Sequence, residues 1–242
     1  MSRRDLDVVS AVRAYVERAV SRVQGLKVLL LDSETAGILS LAVSQTKVME
    51  KEVYLFERLD STGRELMAHL NAVVFVRPTD ANVRALCAEL RKPRYGEYHL
   101  FFSNTLEARY LDQLARADEH EVVQQVHEYY ADFFALDREH YTLNVPGVWL
   151  TTSDAAWAAA SARQVDGLVS LLLALKRRPH VRYVRGSALA RDVAEGVSRR
   201  VRDARDVFAF RQSDAVPLLL VLDRRDDPVT PLLQQWTYAA MV

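Results

Sequence analysis

The chain has 242 residues, and its 32 Lys and Arg balance its 32 Asp and Glu, so the formal net charge is zero. A neutral chain has no overall field to draw it to nucleic acid or an anionic membrane, so partners must be selected by a local surface. Every apolar run is far shorter than the roughly 20 residues of a membrane-spanning helix, so we expect no insertion into a membrane. The lone Cys87 allows neither an internal disulfide nor a cysteine-based zinc site, and it favours a reducing cytosolic setting.

The first part of the chain alternates between short apolar runs and segments with helical periodicity. Short strands separated by helices favour crossover connections, and therefore a mainly parallel sheet with helices on both faces. The pattern predicts strands at 27–31, 53–56, 72–76, 98–102 and 133–136. It predicts helices at 5–24, 37–51, 65–70, 81–90, 106–115 and 119–130.

An irregular stretch at 137–153, with Pro146 and Gly147, separates this region from a second one. The second region continues in the same style, and we predict helices at 155–175 and 188–207 and strands at 181–184 and 216–222. We place the domain boundary near residue 138, which gives an α/β domain at 1–138 and part of a second α/β domain at 139–242.

The last predicted strand runs into an acidic turn at Asp223 and then into a predicted helix. Thr230 followed by Pro231 is typical of a helix N-cap with proline at the first helical position. Leu232, Leu233 and Trp236 would give this helix an apolar face.

Doubly wound sheets commonly bind nucleotides, but the glycines of this chain occur singly, and neither phosphate-binding glycine motif can be found. Asp32 follows the first strand, where an open α/β sheet would place a phosphoacceptor or a magnesium-binding carboxylate. A magnesium-dependent phosphotransferase using Asp32 is therefore one hypothesis. The alternative, which we favour, is a strand-end turn in which Asp32 accepts backbone N–H bonds.

Other polar groups give weaker indications of chemistry. Asp223, Asp226 and Asp227 also follow a strand, but the adjacent arginines can neutralise them, so a scaffolding role is favoured. His120 and His127 lie seven residues apart on a predicted helix, whereas helical metal ligands are usually three or four apart. We therefore predict no catalytic residue, no metal and no cofactor.

The end of the chain resembles the signature of the Sec/Munc (SM) family, the syntaxin-binding regulators of SNARE-mediated membrane fusion. Segments 27–32, 52–58, 76–79, 90–98 and 101–104 are similar to the endosomal, vacuolar-sorting branch of that family. The signature residues, to which we assign a structural role, are Asp223, Arg224, Asp227, Pro228, Thr230, Pro231 and Trp236.

This resemblance implies a first domain built on a five-stranded parallel sheet and a second α/β domain. In the family, a large third domain is inserted into the second domain after the region where this chain ends. The implied function is non-enzymatic regulation of vesicle docking and fusion in endosomal, Golgi and vacuolar trafficking. The implied location is cytoplasmic, peripheral on endosome and trans-Golgi membranes.

The resemblance also implies the partner, a syntaxin-type SNARE whose amino-terminal peptide fills an apolar pocket on the first domain. Binding of assembled SNARE complexes is left open. The pocket is expected between two successive helices, with an aliphatic or aromatic anchor at its centre. Leu111 is the expected centre, while Leu114 and Val126 could equally pack against their own sheet. The residues expected to form the pocket are Leu111, Leu114, Val123, Val126, His127 and Tyr130.

Overall fold

The computed structural model describes residues 7–147, 153–210 and 216–233. The chain divides into two compact units. Unit 1 comprises Met1–Asn144 and Asp166–Arg177, and unit 2 comprises Val145–Val165 and Arg178–Val242. The boundary near residue 138 between two family domains remains a prediction, because compact units need not coincide with family domains.

A five-stranded, wholly parallel sheet forms the centre of unit 1, as predicted. The strands lie in the order β2-β1-β3-β4-β5. Strands β1, β3 and β4 hold the middle positions, and their apolar runs are buried on both faces. The strands are β1 (Lys27–Leu31), β2 (Val53–Arg58), β3 (Met67–Val76), β4 (Tyr95–Phe102) and β5 (Val123–Glu128).

Helices cover both faces of this sheet and produce two separate hydrophobic cores. The α1 face contains Val12, Ile38 and Phe101, and the α5 face contains Leu100 and Leu114. The helices of unit 1 are α1 (Val8–Arg22), α2 (Ser33–Ala42), α3 (Gln45–Met49), α4 (Asp80–Arg91) and α5 (Ala108–Ala117).

Four sequence predictions for unit 1 differ from the structure. The segment predicted as a helix at 65–70 enters β3, and the one at 119–130 contains β5, the edge strand. The segment at 133–136, predicted as the fifth strand, instead forms β6 (Phe134–Ala135), which pairs antiparallel with β7 (Tyr141–Thr142). The predicted helix 37–51 is two helices, the first of which begins at Ser33 because Asp32 caps it.

Local hydrogen bonds explain why 119–130 is not a helix. The Asp118 carboxylate accepts the backbone N–H groups of Val122 and Val123, at 2.9 and 3.1 Å. Glu121 has φ +55°, a left-handed conformation that interrupts a right-handed helix. The chain therefore turns after α5 and continues as an extended strand beside β4.

Unit 2 contains the first part of α6 (Asp154–Ala174), then β8 (His180–Tyr183), α7 (Ala188–Asp203) and β9 (Leu218–Val221). The strands β8 and β9 pair in parallel, which confirms the predicted order of elements in this region. A Cβ atom on Gly196 of α7 would lie 2.6 Å from the Val165 side chain, so glycine permits this close approach. No helix among the described residues combines the length and apolar character needed to cross a bilayer.

The acidic turn after β9 contains two short 3-10 turns, Arg224–Asp226 and Thr230–Leu232. Val229, not Thr230, occupies the cap position of the second turn, so the predicted N-cap is wrong. The Thr230 N–H instead donates to Asp227 Oδ1 at 3.0 Å. Trp236 and the rest of the predicted terminal helix lie outside the described residues.

Candidate binding site at the edge strand

Helix α5 presents Leu111 to solvent. Tyr110, Leu114 and Ala117 recur at helical spacing and fill the α5-face core. Leu114 is 2% exposed, so it packs against its own sheet, whereas Leu111 is 46% exposed. Leu111 is thus an apolar side chain that the fold does not use for its own core.

The neighbours of α5 show which side Leu111 occupies. The backbone of Gln113 faces α4, where its carbonyl accepts from Cys87 Sγ. Leu111 and Asp118 are seven residues apart, about two helical turns, and therefore share the other side. Because Asp118 binds the start of β5, Leu111 lies on the side of α5 that borders the edge strand.

The edge strand divides the predicted pocket residues between two faces. Val126 pairs with Leu100 and packs on the α5-face core, as does half-buried Val123. His127 pairs with Phe101 on the α1 face and stacks on its ring, with 5.6 Å between the centroids. Adjacent strand residues point to opposite faces, so His127 cannot share a pocket wall with Val126.

Tyr130 also departs from the predicted arrangement. Its ring meets Tyr15 of α1 edge to face, with centroids 6.4 Å apart, and its hydroxyl donates to Glu128 Oε2 at 3.1 Å. Burial raises the pKa of the Tyr130 phenol, and the Glu128 carboxylate raises it further. Tyr130 is therefore a protonated donor held beside α1.

The structure also adds residues to the edge-strand groove, which we define as Leu111 of α5 with Val122, Val123 and Val126. Val122 was not predicted, although it is partly buried on the α5-face core. Val122 is adjacent to Val123, and Gln124 is an extra residue against β4, so simple strand alternation could not have indicated Val122. Leu111, Val123 and Val126 are thus the predicted pocket residues that are exposed or half-buried on the α5 face of the sheet.

Asp32 lies at the carboxyl end of β1, beside β3, where ligands bind in many sheets with this strand order. Both oxygens of its carboxylate accept hydrogen bonds from other groups of the protein. One oxygen accepts the N–H and hydroxyl of Thr35, at 2.7 and 3.1 Å. The other accepts the Arg77 N–H and the Asn82 amide, at 2.7 and 2.6 Å. This geometry favours the strand-end turn over a phosphoacceptor.

The two histidines that the sequence analysis considered and rejected as metal ligands lie in different elements. His120 is exposed in the turn before β5, where its ring contacts the Arg91 carbonyl, and His127 is in β5. Within the described ranges, no three His, Cys, Asp or Glu side chains are grouped so that they could hold a metal ion.

In unit 2, the carboxylates of the acidic signature turn accept hydrogen bonds from nearby groups of the same unit. Asp223 accepts the Ser187 hydroxyl at 2.5 Å and a two-pronged contact from Arg225, whose nearest nitrogen is 2.7 Å away. Hydrogen bonds from Arg225 and Ser187 outweigh burial and hold the Asp223 pKa well below its usual range. Ser187 also caps α7, so Asp223 links the turn to the start of that helix.

The neighbouring signature residues close the same turn. The Asp227 carbonyl accepts from Arg224 at 3.2 Å, while its side chain receives the Thr230 N–H. The Arg225 guanidinium lies over the Trp157 ring, 5.3 Å from its centroid. The contacts of Asp223 and Asp227 therefore hold together a turn and leave no converging set of carboxylates for catalysis.

The sequence profile of the Sec1 family matches residues 27–242. Vacuolar protein sorting-associated protein 45 of Dictyostelium discoideum is 46% identical over the whole of this chain and 42% of its own length. The human protein of that name is 44% identical over 98% of this chain and 41% of its own length. The chain thus spans about two fifths of the length of these relatives.

Solved structures agree with this relationship. The SM protein Vps45 in complex with the Qa SNARE Tlg2 has a TM-score of 0.91 and 46% identity, over 98% of this chain and 42% of the Vps45 chain. A Sly1p structure with an N-terminal peptide of Sed5p has a TM-score of 0.84 at 20% identity, which shows a shared fold. It covers 99% of this chain and 45% of that one.

Proposed function

We propose, on the premise that this chain belongs to the Sec1 family, that it binds the amino-terminal peptide of a syntaxin-type SNARE. The whole protein would then be a non-enzymatic regulator of vesicle docking and fusion in endosomal, Golgi and vacuolar trafficking. Its place would be the cytoplasmic surface of endosome and trans-Golgi membranes, reached through the SNARE. Binding of assembled SNARE complexes belongs to the whole protein and is not needed for this proposal.

The observation that carries the proposal is the edge-strand groove. Leu111 is exposed on α5, and half-buried valines of the edge strand pack on the same face of the sheet, so an apolar anchor could bury itself there without unfolding the core. The relatives of this chain include a Vps45 solved with the Qa SNARE Tlg2. A Sly1p structure of the same fold holds an N-terminal peptide of Sed5p.

Replacing Leu111 with arginine should abolish most of this binding. The longer, charged side chain would fill the groove and would have to lose water when an apolar anchor bound. By comparison with interface hot spots, we expect a loss of at least ~2 kcal/mol, about 30-fold in affinity. Calorimetry with a synthetic amino-terminal peptide of a Tlg2-type Qa SNARE measures this directly.

Leu66→Arg is the matched control, because Leu66 is an even more exposed leucine of unit 1, ahead of β3 and outside the groove. Its affinity for the peptide should equal that of the unmodified chain. Unchanged affinity in a folded Leu111→Arg variant would reject the groove as the binding site. Failure of the unmodified chain to bind peptides from any syntaxin would reject the proposed function.

A further inference from the structure

Two histidines on the α1 face of the sheet contact the same glutamine side chain. His99 of β4 pairs with Gln125 of β5, and His127 follows two residues later on the same face of the edge strand. Gln125 Nε2 lies 2.9 Å from His99 Nδ1, and Gln125 Oε1 lies 3.0 Å from His127 Nε2. The three side chains form a row on the face of the sheet opposite the edge-strand groove.

The Gln125 amide limits how many protons the two histidines can carry. An amide oxygen only accepts hydrogen bonds, and an amide nitrogen only donates them. Of the two ring nitrogens that face the amide, one must therefore carry a hydrogen and the other must present its lone pair, whichever way the amide is turned. A protonated imidazole carries a hydrogen on both nitrogens. If both histidines were protonated, one of the two hydrogen bonds to Gln125 would be lost.

The row is shielded from water, which makes such a loss costly. His99 is 8% exposed, and its neighbour on β3, Val73, is apolar. His127 is half-buried against the rings of Phe101 and Tyr129, with centroids 5.6 and 6.0 Å away. Burial lowers the pKa of both imidazoles, because it disfavours their charged forms.

The charged groups beside the row differ at its two ends. Glu97 Oε2 lies 3.6 Å from His99 Nε2, so a carboxylate favours a proton on His99. Arg22 Nη1 of α1 lies 3.2 Å from His127 Nε2, so a guanidinium opposes a second positive charge on His127. Glu97 accordingly counteracts the fall in the His99 pKa, whereas Arg22 adds to the fall in the His127 pKa. His99 is therefore the better site for a proton.

We propose that His99, Gln125 and His127 form a single-proton switch, in which His99 takes up the proton and His127 stays neutral. The proton comes from water and adds to His99 Nδ1, since the other ring nitrogen already carries a hydrogen that faces Glu97. The Gln125 amide then turns over, so that its oxygen accepts from His99 and its nitrogen faces His127. The torsion that turns an amide has two broad minima, so the change needs no movement of the backbone.

The turned amide changes the contact between the edge strand and α1. Before protonation, His127 Nε2 donates to Gln125 Oε1, so Arg22 faces an N–H group with which it forms no hydrogen bond. After protonation, His127 carries its hydrogen on Nδ1, and the lone pair of Nε2 is available to Arg22. Mild acid would thus bind the last turn of α1 more firmly to the edge strand.

NMR of the whole 242-residue chain with nitrogen-15 in its histidine rings tests the switch, because ring nitrogen shifts report both protonation and tautomer. Between about pH 8 and pH 5 we expect His99 to titrate with a midpoint at least about one pH unit above that of His127. His127 should move its hydrogen from Nε2 to Nδ1 over the same range in which His99 titrates. His99→Asn and His127→Asn assign the two sets of signals.

Two variants separate the amide from the charge of the arginine. Arg22→Gln removes the charge and keeps the amide, so the pair of histidines should still take up one proton. Arg22→Gln combined with Gln125→Ala removes both restraints, and both histidines should then titrate. Arg84→Gln, at an exposed position of α4, is the matched control and should leave the titration as it is in the unmodified chain.

Two results would overturn the proposal. One is simultaneous titration of His99 and His127 in the unmodified chain, and the other is uptake of two protons by the pair in the Arg22→Gln variant. Neither result depends on the double variant, so the test holds even if loss of Gln125 destabilises the edge strand. Leu111→Arg should leave the titration intact, which separates the switch from peptide binding in the edge-strand groove.

Discussion

Replacing Glu89 with alanine is expected to lower the free energy of unfolding of unit 1 by about 3–5 kcal/mol, the range for breaking a buried ion pair. Glu89 of α4 is 2% exposed, and its carboxylate receives Arg64 and Arg94 at 2.7 and 2.6 Å. The other oxygen accepts the hydroxyl of fully buried Tyr98 at 2.7 Å. Truncation would leave the Arg64 charge and this hydroxyl buried without their acceptor.

The measurement should report on unit 1 alone. All three tryptophans, Trp149, Trp157 and Trp236, follow residue 144, so intrinsic tryptophan fluorescence is dominated by the other unit. Hydrogen exchange of the β3 and β4 amides gives the local unfolding free energy instead. Glu119→Ala, at an exposed position of the same unit, should leave that protection unchanged. Undiminished protection in Glu89→Ala would mean that the buried network adds nothing to stability.

Replacing Asp32 with alanine is expected to lower the free energy of unfolding by about 2–4 kcal/mol, the second large effect. The change removes the cap of α2, for which about 1 kcal/mol is typical. It also leaves the Arg77 N–H and the Asn82 amide without their acceptor, at about 1–3 kcal/mol for an unsatisfied buried group. Asp32→Asn should also destabilise, because every group that faces the carboxylate at these short distances is a donor.

Thr79→Ala is the matched comparison for Asp32. Thr79 caps α4 through a single 3.3 Å bond from the Asn82 N–H, so its loss should cost only about 1 kcal/mol. Hydrogen exchange in β1 and β3 distinguishes the two variants. If Asp32→Ala cost no more than Thr79→Ala, the cross-strand bonds of Asp32 would contribute nothing. If the unmodified chain turned over a phosphate substrate with magnesium and Asp32→Ala abolished that activity, the phosphotransferase hypothesis would be supported.

Much of unit 1 can be predicted from its sequence because the central strands are surrounded by apolar side chains on both faces. Lys27–Leu31 and the apolar end of β3 are buried on both faces, which requires the continuous apolar runs that the sequence shows. Helix α4 begins at Asp80, within one residue of the predicted start, because the side chain of Thr79 caps it. Asp32 likewise makes the backbone hydrogen bonds expected of a strand-end turn.

The edge strand could not be predicted in the same way. Val122, Val126 and Tyr130 recur every four residues, and the intervening Glu, Gln and His tolerate a helix, so helical periodicity matched as well as strand alternation. Pairing with β4 decides between the two, and it depends on residues distant in sequence. The start of β3 at Met67 was missed for a similar reason, since its N–H pairs with the Arg94 carbonyl.

That error also affected the prediction of the candidate binding site. Leu111 was correctly placed on α5, but a helical assignment for 119–130 puts Val126, His127 and Tyr130 on one surface. The strand separates them, and only its real alternation reveals that His127 belongs with Arg22 and Tyr129. Sequence resemblance indicated Leu111, whereas the contact of His127 with Arg22 depends on the pairing of β5 with β4.

The alternation of β5 also constrains how this segment can evolve in length. Gln124 is already an extra residue against β4, so its loss would leave Gln125 and the later residues on their present faces, whereas one residue inserted after Gln125 would turn every later side chain of the strand to the opposite face. Val126 would then meet α1, and His127 would be pressed into the apolar core beneath α5. Point substitutions can alter either face separately, but such an insertion would damage both at once.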